Sequence, residues 1–142
     1  MNQEALKVMN ERFGKDTVIA LGTTDGAYPA IRYVNAYYED GAFYVITYAL
    51  SNKMQQIEKN PNVSVCAEWF TARGKGENLG YFGKADNAEI AGKLKKEFAS
   101  WIDNGHNNFE DENTIILRIK LEDAVLFSYG TRYEINFSEQ SC

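Results

Sequence analysis

A serine and a lysine two residues apart, Ser51 and Lys53, stand where a β-rich run gives way to a helical pattern, in TYALSNKMQQIEKNP. Ser51 is suited to cap the helix, Met54, Ile57 and Glu58 follow at helical spacing, and Asn60-Pro61 is a stop signal. The N-terminal end of a helix presents unpaired backbone N–H groups and about half a positive charge, so a lysine in its first turn is repelled unless an anion sits there. A serine hydroxyl, first-turn amides and an ammonium group together suit a phosphate. Taken alone, the same residues also describe an exposed lysine on an ordinary capped helix. Arg32 tips the balance, because AIRYVNAYY must lie beside the third strand if Asp40-Gly41 is a tight turn, which carries Arg32 toward the start of the helix. Two cations then converge on one anion.

Other reactive side chains do not assemble a second chemistry. The single histidine, His106, falls in the most polar stretch, where a solvated imidazole has neither imposed geometry nor shifted acidity. Cys66 lies in the run NVSVCAEWF and reads as a small buried strand residue rather than an activated thiolate. One histidine, two distant cysteines and scattered carboxylates match no metal-ligand spacing. GKGENLG has neither the GxGxxG nor the P-loop pattern and opens no helix, so a flexible hairpin is expected. The lysines of GKLKKEF fall opposite Leu94 and Phe98 and read as a solvated helix face.

A chain of 142 residues is long enough for one core and too short for two large ones, so one domain spanning 1–142 is expected. Its 13% aromatic content suits a β-rich core or a pocket for a flat ligand. A net charge of −5 argues against nucleic acid or acidic lipid as the main partner. Cys66 and Cys142 show no CxxC spacing, which points to a reducing compartment, and the polar N-terminus MNQEALKVMNERFG is unlike a signal peptide. No segment approaches the ~20 apolar residues of a membrane span, so the cytoplasm is the expected location.

The elements that must hold these residues follow from periodicity. Leu6, Met9 and Phe13 give an opening helix over 2–13 that covers one end of a core. TVIALGTT, PAIRYVNAYYE and AFYVITYA, separated by Asp25-Gly26 and Asp40-Gly41, predict a three-strand meander. A helix over 52–59 precedes a fourth strand over 62–70. TARGKGEN is expected to be a loop and LGYFGKAD a fifth strand, before a helix opened by an Asp86/Glu89 capping box and carrying Ile90, Leu94, Phe98 and Ile102. DNGHNNFEDEN reads as a mobile polar loop, and alternation at Ile115 to Leu121 and Tyr133 to Phe137 returns the chain to strands. The expected fold is mainly β: a small barrel of six to seven mostly antiparallel strands with two to three helices.

Thr47, Ser51-Asn52-Lys53 and Asn60-Pro61 together resemble the pyridoxamine 5′-phosphate oxidase superfamily of FMN-binding split barrels, especially its short bacterial branch of general-stress-protein relatives. The similarity covers about residues 15–90. It implies that Arg32, Ser51 and Lys53, with Asn52 beside them, hold the FMN phosphate, while Tyr33, Val34, Asn35, Ile46 and Thr47 line the isoalloxazine. It also implies a homodimer in which Trp69 and Asn78 reach the flavin of the second subunit.

Departures qualify the likeness. Asn52 replaces an arginine, Glu77 stands where an arginine precedes the glutamine, and Tyr37 replaces a lysine. GTRYEINF lacks the arginine and histidine pattern with which true pyridoxamine phosphate oxidases hold their substrate, so that substrate is not expected. The resemblance leaves a flavin-dependent oxidoreductase using NAD(P)H or another small redox partner, and a non-enzymatic flavin-binding sensor or carrier. A deazaflavin is the alternative cofactor. A haem-binding relative is disfavoured, with His106 the one imidazole available.

Overall fold

The computed structural model describes residues 2–105 and 107–139; His106 and Cys142, considered above, lie outside them. The elements run α1 (Gln3–Phe13), β1 (Thr17–Thr24), β2 (Pro29–Glu39), β3 (Ala42–Tyr48), α2 (Asn52–Lys59), β4 (Asn62–Ala67), β5 (Phe70–Tyr81), α3 (Ala88–Glu97), β6 (Thr114–Ser128) and β7 (Thr131–Asn136). The strands lie in the order β3-β2-β1-β4-β5-β6-β7, every adjacent pair antiparallel, and β3 also pairs with β6. Six strands thereby close a barrel, and β7 extends it along the far half of β6. Closure removes most of the edges an open sheet exposes.

Alternation decides which side chains fill the barrel. Ile19 and Leu21 of β1, Val34, Ala36 and Tyr38 of β2, Phe43 and Val45 of β3, and Ile115, Leu117, Ile119 and Leu121 of β6 share one apolar cluster. α1 plugs the barrel with Ala5, Val8, Met9 and Phe13, whose ring lies 5.5 Å from Phe43 and 4.8 Å from Phe70. Asn2 caps that helix by accepting from the amides of Glu4 and Ala5. α1 meets β3 at its first residues, whereas α2 follows from its last, so the two helices sit at opposite ends. α3 covers the outside with Ala91 and Leu94, and because it ends at Glu97 the expected helical residues Phe98 and Ile102 join the same cluster, with Ile116, Tyr37, Tyr44 and Ile46, from the turns beyond it.

The two sides of β3 differ in a way that matters below. Toward β6 it is paired along its whole length, from Ala42↔Lys120 to Tyr48↔Thr114. Toward β2 the ladder ends at Tyr37↔Tyr44. The same register would set Asn35 opposite Ile46 and Val34 opposite Thr47, but there the strands part and the barrel is split.

Several sequence expectations need correction. TARGKGEN is the body of β5, not a loop, and GKGENLG is strand rather than a hairpin. Its glycines are required by close approach: a Cβ on Gly74 would overlap the Lys120 carbonyl oxygen at a bulge, and one on Gly76 would lie 2.9 Å from Ile57 of α2. The fourth strand ends at Ala67, and Glu68-Trp69 make a two-residue turn with Trp69 at φ 57°. The expected capping box does not form. Asp86 sits in a short 3-10 turn, and Asn87, the residue before α3, spends its amide on the carbonyls of Leu79 and Tyr81. Cys66 is exposed, because its parity puts it on the outside of β4. The stretch 103–113 is anchored in its described part: the Phe109 ring lies 4.7 Å from Phe82 and its carbonyl accepts from Tyr81 Oη. Lys93 of GKLKKEF is tied to Glu39 at 2.6 Å rather than left in solvent.

Candidate functional site

The first turn of α2 and the last residues of β3 are brought together by a hydrogen bond from Lys53 Nζ to Thr47 Oγ1, 2.7 Å long. Strand parity aims Arg32 toward the same end of the barrel interior, because it alternates with Val34, Ala36 and Tyr38. Its Nη1 donates to the Leu21 carbonyl at 3.2 Å and to Thr23 Oγ1 at 2.6 Å. Lys53 is half-buried, and burial first, then the charge of Arg32, holds its pKa below the ordinary lysine value. Burial likewise lowers that of Arg32. Among the described residues neither cation has a carboxylate within ion-pair distance.

Ser51 completes the arrangement. It is the N-cap of α2, with extended backbone, yet its side chain makes no capping bond and its Oγ is buried without a hydrogen-bond partner among the described residues. An unsatisfied buried hydroxyl costs on the order of 1–3 kcal/mol. The first turn of α2 also carries no acidic residue to meet the helix dipole. The guanidinium of Arg32 is thus near enough to act on the Lys53 ammonium, and the Ser51 hydroxyl and first-turn amides belong to the helix start that carries Lys53. Cationic groups, a hydroxyl and helix-start amides are the donor types that bind oxyanions.

The remaining expected residues fall into three places. Tyr33, Val34 and Asn35 on β2 and Ile46 and Thr47 on β3 lie along the two margins of the split, where neither strand has a ladder partner on that side. Val34 turns into the core, Tyr33 is 81% exposed, and Ile46 packs outward under α3. Asn35 Nδ2 donates to Asp16 Oδ1 at 3.0 Å, and Asp16 Oδ2 accepts from Trp101 Nε1 at 2.8 Å, so that margin is braced from behind. Asn52 is exposed at the first helical position. Asn78 is exposed on β5, its Oδ1 accepting from the Gly80 amide at 2.7 Å.

Trp69 is elsewhere. It adjoins Phe70, whose ring lies 6.1 Å from that of Phe43 at the start of β3, whereas Thr47 stands near the other end of that strand. The sequence reading missed Thr23 and Gln56, which meet across the site at 2.5 Å, the Thr23 hydroxyl donating to Gln56 Oε1. Thirty-three residues separate them, and no local pattern links them.

The architecture is a split barrel with a cationic helix start beside the split, and comparison with known proteins gives its family. The family model described as pyridoxamine 5′-phosphate oxidase matches residues 5–126, and the chain belongs to that family. It is similar to general stress protein 26 of Bacillus subtilis (strain 168), with 27% identity over 150 residues covering 96% of this chain and 98% of that protein. Among solved structures, the haem storage protein of Vibrio cholerae superposes with a TM-score of 0.68 at 14% identity, covering 91% of this chain and 98% of that one. A FAD-binding protein from Mesorhizobium loti gives 0.62 at 18% identity, covering 84% and 91%. These two likenesses concern the fold. Among the described residues no cluster of potential metal ligands is present, and no helix is long and apolar enough to cross a membrane.

Proposed function

We propose that the chain binds FMN, with its phosphate held by Arg32, Ser51 and Lys53 and its isoalloxazine lying along the split between β2 and β3, and that it acts as a flavin-dependent oxidoreductase. The observation that carries this reading is the buried Ser51 Oγ, without a hydrogen-bond partner among the described residues, at the cap of the helix whose Lys53 feels the charge of Arg32. A phosphate monoester gives that hydroxyl an acceptor and both cations a partner. The unpaired margins at Tyr33 to Asn35 and at Ile46 and Thr47 offer backbone donors and acceptors to a flat, hydrogen-bonding ring. Family membership and the FAD-binding structural neighbour support a flavin. A deazaflavin carrying the same phosphate is the alternative cofactor, and its spectrum distinguishes it.

Bound flavin supplies the hydride or electron transfer, with NAD(P)H or another small redox molecule as partner. The chain supplies anchorage and orientation: Lys53 and Arg32 fix the phosphate, and the Asp16 brace holds Asn35 at the margin. Pyridoxamine phosphate is not the proposed substrate. Arg132, the arginine of β7, is paired with Glu134 at 2.9 Å and sits opposite Phe127, at the end of β6 remote from Thr47.

We further propose a cytoplasmic homodimer. Ile31, 72% exposed, and Tyr33 project from β2 beside the small outward residues Ala20, Gly22 and Ser64, a face suited to a second copy. Trp69, 67% exposed, adjoins Phe70 by the start of β3, at the opposite end of that strand from Thr47, and in this dimer it serves the partner's cofactor. The exposed, free Cys66 suits a reducing compartment.

The test is an absorption titration of the protein and of Lys53→Ala with FMN. The substitution is expected to weaken binding by roughly 10- to 100-fold, the range of a charged hydrogen bond. Absence of a flavin spectrum in the wild type, or an intense haem band gained instead with added haem, would sink the reading. Turnover with NAD(P)H and an acceptor separates the oxidoreductase from a non-enzymatic flavin carrier.

A further inference from the structure

Arg32 and Lys53 are held at the site in different ways. Lys53 reaches it directly from the first turn of α2 and touches Thr47. Arg32 comes from β2 on a long flexible side chain, and a guanidinium free to swing grips a phosphate poorly because its ordering must be supplied at binding. Its orientation is fixed by a threonine that is 2% exposed. Thr23 Oγ1 accepts from Arg32 Nη1 at 2.6 Å, and with its one proton donates to Gln56 Oε1 at 2.5 Å. The Leu21 carbonyl, 3.2 Å from the same Nη1, supplies a second acceptor. One terminal nitrogen of the guanidinium is thus committed to β1, leaving Nη2 and Nε to face a ligand. Gln56 sits three residues after Lys53, on the same side of α2.

We propose that Thr23 and Gln56 form a positioning relay that locks the Arg32 guanidinium to α2, so that Lys53 and Arg32 move as one rigid phosphate clamp. The direction of the hydrogen bonds makes the assignment specific. A hydroxyl has one proton; Gln56 Oε1 takes it, which turns the lone pairs of Thr23 toward the arginine. Valine at 23 has nearly the same shape and can do neither. The relay also accounts for a clamp built from two cations with Asn52 where a third is expected: two groups of fixed geometry substitute for three looser ones.

The proposal rests on the FMN reading, and two measurements separate them. The first compares FMN with riboflavin, which lacks the phosphate, in the wild type, Thr23→Val and Thr23→Ser. Thr23→Val is expected to weaken FMN about tenfold while riboflavin changes less than twofold, and Thr23→Ser, which keeps the hydroxyl, to restore the preference. Equal loss for both ligands, or Thr23→Ser behaving as Thr23→Val, overturns the relay. The second measurement needs no flavin: the side-chain NMR signals of Arg32 in the ligand-free protein. Resolved Nη signals in the wild type that coalesce in Thr23→Val and in Gln56→Leu support the relay, and freely rotating Arg32 in the wild type overturns it. A wild type that shows the Thr23-dependent signals but binds no FMN refutes the flavin reading and leaves the relay standing. A wild type that prefers FMN, with the preference unchanged in Thr23→Val, does the reverse.

Discussion

Ser51 does two incompatible things in one place. As an N-cap it is expected to bond an amide of its own helix, yet its hydroxyl makes no such bond and is buried without a partner among the described residues. Ser51→Ala should therefore stabilise the ligand-free protein, by about 1 kcal/mol, while weakening FMN several-fold; thermal unfolding with and without FMN reads both signs. Lys53 gives a pH prediction. Burial and Arg32 hold its pKa below the ordinary lysine value, and a phosphate raises it again by favouring the charged form. FMN affinity should be flat while Lys53 is charged in both states, then fall as pH rises through the lowered pKa. Stability of the ligand-free protein moves the other way. The folded state sheds its proton before the unfolded one, so the penalty of the buried charge is relieved as pH climbs toward the ordinary lysine range. In Lys53→Arg, which stays charged, titration should show the alkaline loss of affinity removed. Ser51, Lys53 and Arg32 were legible in the sequence because their signals are local: a cap, a helix start and a charge interrupting a strand. Thr23 was not, since a threonine in TVIALGTT looks like any strand former and its meaning comes from Gln56 across the barrel end.

α2 is held over the barrel end by contacts that leave little room. Ile57 lies against Gly76, and the Gly76 amide donates to the Pro61 carbonyl at 2.8 Å, so helix and strand approach at a position with no side chain. Gly76→Ala should push Ile57 outward and shift α2 with it. Overpacking of this kind costs about 1–3 kcal/mol, and because Lys53 rides on the same helix, FMN affinity should fall together with the melting temperature. The outcome that would contradict this is a full loss of stability with FMN binding, measured well below the melting point, unchanged. Most elements were readable from periodicity and aspartyl-glycine turns; β1, β2 and α2 have the expected bounds. β5 was not readable, because Gly74 and Gly76 punctuate a sequence as loops do. In the barrel they mark where Lys120 and Ile57 come closest. α3 hid its start for a related reason: Asn87 and Asp86 look like caps, but the Asn87 amide is taken by β5.

At the scale of the whole molecule, the proposed dimer turns on one exposed face of the sheet. Ile31 and Tyr33 stand out from it beside small neighbours, so Tyr33→Glu should give monomers in sedimentation and lose FMN affinity with them. A dimer that persists in Tyr33→Glu would refute this face as the interface. The split itself could not be read from the sequence. PAIRYVNAYYE and AFYVITY look equally ready to pair throughout, and only the closure of β3 onto β6 draws them apart beyond Tyr37 and Tyr44. That closure has a price in time. The partner of Ala42–Tyr48 is made about seventy residues later, so at ~5–20 residues per second the nascent chain carries β3 unclosed for roughly 4 to 14 seconds. A ribosome that stalls before Thr114 leaves AFYVITY, an apolar strand with an open edge, looking for another chain, and this makes the protein one whose yield should depend on chaperones that hold the nascent chain until β6 emerges.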